Sequence, residues 1–227
     1  ELREELIARG HAFRTASDTE VIIRLYEDLG PDCVTRLNGD FAFAIWDARE
    51  GALFCARDRF GMKPFYYTTQ GRTFYFGSEA KALLPFLPSI ETDLAGLRDY
   101  LTFQFCLDGK TLFDGIRELP AGHRMWIRNG VIRSERYWDV YYNLDFTHTS
   151  RFYEERLREL MADSVKVHLR ADVPVGSYLS GGLDSSVLVA IIHHYGNVPL
   201  RTFSIGFEDA DYDESKYQQQ MIDHLGA

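Results

Sequence analysis

Apolar positions along the chain change their spacing twice. Leu2, Leu6 and Ile7 recur at helical spacing up to Gly10, and Val21-Ile22-Ile23 with Leu25 resume it after the polar stretch Thr15-Ala16-Ser17-Asp18-Thr19-Glu20. Two helices are predicted, the second N-capped by Ser17 or Asp18 and closed at Gly30-Pro31. From Asp40 the spacing becomes that of strands. Residues 41–47, 52–58, 65–67 and 73–77, with turns at Glu50-Gly51 and Gln70-Gly71, read as an antiparallel meander. Their near-continuous apolar character calls for cover on both faces, hence a layered arrangement. A short helix over 78–84 should end before Pro85, a second should run from Leu94 to Phe105, and Asn129-Gly130 marks a hairpin turn.

After residue 137 the periodicity lapses, and a boundary is expected near residue 145. An amphipathic helix over 151–170 then carries Leu157, Leu160, Met161, Val165 and Leu169 on one stripe. It leads into the apolar run 173–179, the string Ser180-Gly181-Gly182-Leu183-Asp184-Ser185-Ser186, an apolar helix through 187–192 stopped by Gly196, and a second apolar run, 202–207. Apolar on nearly every face, that helix is expected to be buried. Strand, glycine turn, helix, strand predicts a βαβ unit with parallel pairing. The expected fold is therefore α+β over residues 1–145, with antiparallel sheet in layers, followed by the start of an α/β parallel sheet over 146–227.

Composition narrows the classes. A chain of 227 residues with 45% hydrophobic and 26% charged residues is ordinary for a globular protein. Its net charge of −9 argues against a broad nucleic-acid or anionic-membrane surface. No apolar run approaches the ~20 residues of a membrane span. No signal peptide is expected from the charged opening Glu1-Leu2-Arg3-Glu4-Glu5. Cys33, Cys55 and Cys106, scattered and odd in number, suit reduced thiols in the cytoplasm. Starting without methionine and stopping just after a helix, the chain is expected to be an excerpt of a longer protein.

The glycine string carries the chemistry. Two glycines allow a tight turn with bare N–H groups, and the following helix adds unpaired donors and the positive end of its dipole. Ser180, Ser185 and Ser186 add hydroxyls, so an anionic phosphate chain suits the nest. The lysine of the G-x-x-x-x-G-K-[ST] phosphate loop is absent. Asp184 stands at the helix start instead, where it would repel a bare phosphate unless a divalent cation, magnesium, bridged the two. The plainer alternative is a helix cap by Asp184 or Ser185. Asp18 likewise reads as a cap on local grounds alone. Arg57-Asp58 reads as a structural ion pair or turn anchor. The histidines, His193-His194 included, lack metal-ligand spacing. The acidic run from Glu208 to Glu214 is a solvated loop or, at a strand's carboxyl end, a ligand site.

The ordered S-G-G-L-D-S-S string resembles the pyrophosphate-binding loop of the ATP pyrophosphatase superfamily. Five further stretches match in order: Ser17-Asp18-Thr19-Glu20-Val21-Ile22, residues 37–44, Ala56-Arg57-Asp58-Arg59-Phe60-Gly61-Met62-Lys63-Pro64, residues 77–83, and Leu119-Pro120-Ala121-Gly122-His123. Asp172-Val173-Pro174-Val175-Gly176 precedes the loop. Together they resemble the glutamine-hydrolysing asparagine synthetase family over essentially the whole chain. That resemblance implies an N-terminal-nucleophile glutaminase domain joined to an ATP-using synthetase domain. Ammonia from glutamine would pass through a tunnel to an aspartyl-adenylate, with pyrophosphate released.

Carried over by motif, Asp18 would hold the amino group of substrate glutamine. Ser180, Gly181, Gly182, Leu183, Asp184, Ser185 and Ser186 would form the pyrophosphate loop, with Asp184 on magnesium. Tyr178 and Ile205 would contact the adenine nucleotide through their backbone, Tyr178 standing where the family often has leucine. Glutamine, aspartate and ATP are the implied partners, with no nucleic acid and no membrane, and a homodimer is compatible with this reading. The family's nucleophile is an N-terminal cysteine, a place none of Cys33, Cys55 or Cys106 occupies, so no catalytic residue is expected within this segment. Relatives that amidate other carboxylates or close a β-lactam ring, and a non-catalytic nucleotide-binding module with a decayed glutaminase half, are the alternatives.

Overall fold

The computed structural model describes residues 1–195 and 200–226, so the expected stop at Gly196 lies outside the described residues. The chain divides into two compact units, Glu1–Tyr142 and Asn143–Ala227.

The first unit opens with helices α1 (Leu2–Ala8) and α2 (Asp18–Leu29). Ser17, not Asp18, caps α2: its hydroxyl accepts the Thr19 N–H at 3.2 Å. A short 3-10 helix, Gly30–Thr35, follows. Strands β1 (Ala42–Asp47), β2 (Ala52–Arg57), β3 (Tyr66–Gln70), β4 (Thr73–Gly77), helix α3 (Leu94–Phe103) and strands β5 (Arg117–Glu118), β6 (His123–Arg128) and β7 (Val131–Arg136) complete it. Asn129 and Gly130, at φ 52° and 77°, make the β6–β7 turn, as the Asn-Gly pair predicts.

The strands form two antiparallel sheets, ordered β1-β2-β6-β7 and β4-β3-β5. They are therefore not one meander. After β2 the chain crosses to the other sheet, and β2 takes β6 as its second neighbour, with Cys55 opposite Met125. Residues 57 and 58 make the crossing. The Arg57 guanidinium donates to the carbonyls of Gly61, Lys63 and Leu119 at 2.7–2.8 Å and pairs with Glu118 at 2.9 Å. Asp58, 2% exposed, accepts the N–H groups of Phe41, Phe60, Met62 and Lys63. The two side chains do not pair with each other; each anchors the turn.

Alternation along β2 explains its continuous apolar run. Phe54 and Ala56 face a core with Leu6, Val21, Leu25, Cys33, Val34 and Leu37, from the helical layer. Cys55 faces Phe65 and Leu119, which flank β3 and β5 of the second sheet, together with Met125. Both faces are covered, as a layered α+β arrangement requires. The helix expected over 78–84 is instead two 3-10 turns, Ala80–Ala82 and Leu84–Phe86, and Pro85 falls inside the second. Proline is accommodated there because the first residues of a turn need no N–H donor.

The second unit contains α4 (Ser150–His168), β8 (Gly176–Tyr178), α5 (Leu183–Tyr195), β9 (Arg201–Phe203) and α6 (Ser215–Leu225). Strands β8 and β9 pair in parallel, Gly176 opposite Arg201 and Tyr178 opposite Phe203. Both are shorter than the apolar runs around them. On α4 only Ala162 and Val165 are buried and Met161 is partly so, as is Leu169 at its C-terminal cap, while Leu157 and Leu160 of the predicted stripe are exposed. Helix α5 is not buried all round either: Val189 is, but Leu183 and Leu188 are exposed. The cause is the same. Helix α5 packs chiefly on α4 and α6, and those contacts leave Leu183 and Leu188 uncovered.

Candidate functional site

The glycine string lies at the carboxyl end of β8. Leu179, 1% exposed, extends the strand by donating its N–H to the Phe203 carbonyl at 2.9 Å. The chain then turns through Gly181, at φ +88°, into the first turn of α5. A Cβ on Gly181 would stand 3.0 Å from Cβ of Tyr217 and 3.2 Å from both the Gln218 nitrogen and the Glu214 oxygen. Gly182 is different: its nearest neighbour would be the Ser180 hydroxyl at 3.5 Å. Only the first glycine is demanded by the fold.

Three hydroxyl and backbone groups staple the loop. Ser185 Oγ accepts the Ser180 N–H at 3.3 Å, lies 3.0 Å from Ser180 Oγ and donates to the Gly182 carbonyl at 3.1 Å. The Ser186 N–H also reaches the Gly182 carbonyl, at 3.1 Å, which begins the helical ladder. N–H groups of Leu183, Asp184 and Ser185 occupy the first turn of α5, where no helical carbonyl can take them. Asp184 is exposed, and its carboxylate forms no hydrogen bond or ion pair among the described residues. Capping of α5 by Asp184 is thus not what the structure contains.

Tyr178 is 79% exposed, and its backbone lies in β8 opposite Phe203. Ile205 is also exposed, two residues past β9. A cleft of about 250 Å³ opens here, with Tyr178, Ser180, Phe203, Ile205, Phe207 and Gln218 among its walls. Two side chains that sequence reasoning passed over join the loop to its surroundings. Ser204 Oγ donates to the Leu179 carbonyl at 2.8 Å. The Gln218 carboxamide reaches the carbonyls of Ser180 and Ile205. Gln218 had a legible signal: with Met221, Ile222 and Leu225 it completes an i, i+3, i+4, i+7 stripe, of which it is the polar member.

The acidic run is an internal clip. Asp213 Oδ1 accepts the Ser215 hydroxyl at 2.6 Å and the Phe207 N–H at 3.1 Å, and these bonds hold its carboxyl below the usual range. Among the described residues no three His, Cys, Asp or Glu side chains converge to cage a metal. Magnesium commonly takes one or two carboxylates and fills its other positions with substrate phosphates and water. A lone exposed Asp184 beside the unpaired first-turn N–H groups of α5 is compatible with that donor set.

In the first unit Asp18 is the first residue of α2, exposed, with no side-chain partner among the described residues. The loop before it is held by Glu20, also passed over. Its carboxylate accepts the Arg14 and Thr15 N–H groups and the Thr15 hydroxyl at 2.7–3.1 Å, and the Arg14 N–H above all pulls it down to about 2. Ser17-x-x-Glu20 spacing is the sequence signal for such an acid. Cys33 and Cys55 are buried, which pushes their thiols up to about 12 and makes them poor nucleophiles. A groove of about 1140 Å³ between α2 and the β6–β7 hairpin, lined by Tyr26, Asp47, Arg124, Trp126, Arg128 and Arg133 among others, contains none of the candidate glutamine- or nucleotide-site residues.

Residues 1–138 match the family described as Glutamine amidotransferase domain. The chain belongs to that family. Residues 156–227 match the family described as Asparagine synthase. The chain is 40% identical over 227 residues to Asparagine synthetase (glutamine-hydrolyzing) 1 of Bacillus subtilis, covering 100% of this chain and 36% of that protein. It is 43% identical over 220 residues to Asparagine synthetase (glutamine-hydrolyzing) 3 of the same organism, covering 93% and 35%. The chain thus spans about a third of the length of these curated relatives. A solved glutamine phosphoribosylpyrophosphate amidotransferase from B. subtilis superposes with a TM-score of 0.43 at 17% identity, covering 88% of this chain and 42% of that one. The resemblance to glutamine-hydrolysing asparagine synthetases therefore extends through this amidotransferase-family chain and into its second unit. No described helix is long and apolar enough to cross a membrane.

Proposed function

We propose that this chain is part of an ATP-dependent enzyme that forms asparagine from aspartate with ammonia taken from glutamine. Residues 1–145 supply part of its glutaminase domain and residues 146–227 the start of its synthetase domain. One observation carries the reading: a stapled S-G-G-L-D-S-S loop at the end of a parallel strand, opening onto the N-terminus of α5.

In this reading the first-turn N–H groups of α5 and the hydroxyl of Ser186 bind the β- and γ-phosphates of ATP, while the backbones of Tyr178 and Ile205 border the adenine. The aspartate carboxylate attacks the α-phosphorus, giving an aspartyl-adenylate and pyrophosphate. A magnesium ion on Asp184, when bound, would offset the charge gathering on the leaving pyrophosphate. Asp18 faces the ammonium of glutamine. Its exposure in this structure keeps the worth of that ion pair near that of a surface pair until the remainder of a pocket encloses it.

The test uses the full-length protein and the variant Asp184→Asn. Aspartate-dependent exchange of pyrophosphate into ATP should be present in the wild type and nearly abolished in the variant, with glutamine hydrolysis retained. Exchange that follows another carboxylate and not aspartate would reassign the acceptor. Near-normal exchange in the variant would remove Asp184 from the site.

A further inference from the structure

A loop that takes an anionic phosphate chain must keep its carbonyl oxygens away from the ligand. A nest of N–H donors attracts an anion only if the carbonyl oxygens of the same segment are turned away and satisfied, because each carries the opposite partial charge. The carbonyls of Leu179 and Ser180 enter the loop, that of Ile205 lies across from it, and that of Gly182 is taken by Ser185 and Ser186. The Leu179 carbonyl accepts from Ser204 Oγ at 2.8 Å. Those of Ser180 and Ile205 both accept from Gln218 Nε2, at 3.4 and 3.1 Å.

We infer that Gln218 is a positioning residue for the nucleotide site, one that rests on the pyrophosphate-loop reading above: it holds the carbonyls of Ser180 and Ile205 back from the N–H groups the loop presents. A carboxamide NH₂ has two donor hydrogens and here meets two acceptors, one from each strand end. A carboxylate has none to give, and an apolar side chain would leave both carbonyls unheld. Gln218 is 6% exposed, the buried residue of α6. Its direction is set by the close seat of the first turn of α6 on Gly181, where a Cβ would come within 3.2 Å of the Gln218 nitrogen. The same contact that demands glycine at 181 thus aims the side chain at the two carbonyls.

The experiment compares Gln218→Met, similar in length but without donors, and Gln218→Glu, isosteric with its donors replaced, against wild-type full-length protein. Inhibition by inorganic pyrophosphate is read from asparagine synthesis, and the KM for ATP from pyrophosphate exchange. Glutamine hydrolysis and the KM for aspartate serve as controls for folding. Loss of one or two hydrogen bonds sets the expected effect: the pyrophosphate Ki and the KM for ATP rise roughly 10- to 100-fold. Glutamine hydrolysis and the aspartate KM should stay within about twofold, a split that general damage would not give. Unchanged pyrophosphate and ATP constants in either soluble variant, even with a lowered melting temperature, overturn the inference. So does an equal fall in all activities, and so does failure of both variants to fold, which would make Gln218 a folding residue. Wild-type protein with no exchange and no pyrophosphate inhibition brings down the loop reading itself, and is seen before any variant is measured.

Discussion

Gly181 and Gly182 are neighbours of the same type in one motif, yet the structure separates them sharply. Replacing Gly181 by alanine forces an L-residue to φ +88°, which costs about 1–2 kcal/mol. Its Cβ would also press to 3.0 Å on Cβ of Tyr217 and to 3.2 Å on backbone atoms of Gln218 and Glu214. Backbone cannot swing aside as a side-chain tip can, so α6 must shift, at an overpacking cost of about 1–3 kcal/mol. The sum is about 2–5 kcal/mol. Gly182→Ala meets nothing nearer than the Ser180 hydroxyl at 3.5 Å, and its φ lies outside the left-handed region. That change should cost under about 1 kcal/mol, and lowered entropy of the unfolded chain offsets part of it. Tryptophan fluorescence cannot report the difference, since Trp46, Trp126 and Trp138 all lie in the first unit. Hydrogen-exchange mass spectrometry on peptides covering α5 and α6 can. Protection there should fall at least roughly 30-fold in Gly181→Ala, the equivalent of about 2 kcal/mol, and by much less in Gly182→Ala. Equal protection in the two variants, or Gly181→Ala indistinguishable from wild type, would refute the seat of α6 on the loop.

Asp58→Asn should destabilise the first unit by about 2–4 kcal/mol, because the amide end of asparagine meets N–H groups where the carboxylate accepts four; urea unfolding followed by tryptophan fluorescence measures it, and a loss below about 0.5 kcal/mol would contradict the anchor. Glu20 has a folded pKa near 2, below its ordinary 4.5, so its contribution to stability is full above pH 4.5 and is lost as pH falls toward 2. Glu20→Gln should therefore flatten the acid limb of the stability profile in that window, and an unchanged limb would show that the loop before α2 does not depend on the charge. Alkylation by iodoacetamide at pH 8 should mark Cys106, which is only partly buried, before Cys33 and Cys55, whose thiols sit near 12; peptide mapping that finds Cys33 or Cys55 modified first in folded protein would argue against that core.

Local chemistry was enough to read much of this protein. Spacing of apolar residues located the helices and strands, Asn129-Gly130 declared its hairpin, and the order of Ser180 through Ser186 announced a loop between a strand and a helix. Such features depend on neighbours a few residues apart, and backbone sterics decide them. Pairing of β2 with β6 could not be read this way, since it depends on a turn held by Arg57 and Asp58 through groups as distant in sequence as Leu119 and Phe41. The exposure of Leu157, Leu160 and Leu188 was equally illegible, because an apolar stripe states what a helix can bury and not which element arrives to cover it. Nor could sequence tell Gly181 from Gly182, or show why a glutamine stands in the apolar stripe of α6. Those questions turn on where α6 comes to rest, and only packing in three dimensions brings Tyr217 and Gln218 against the glycine loop.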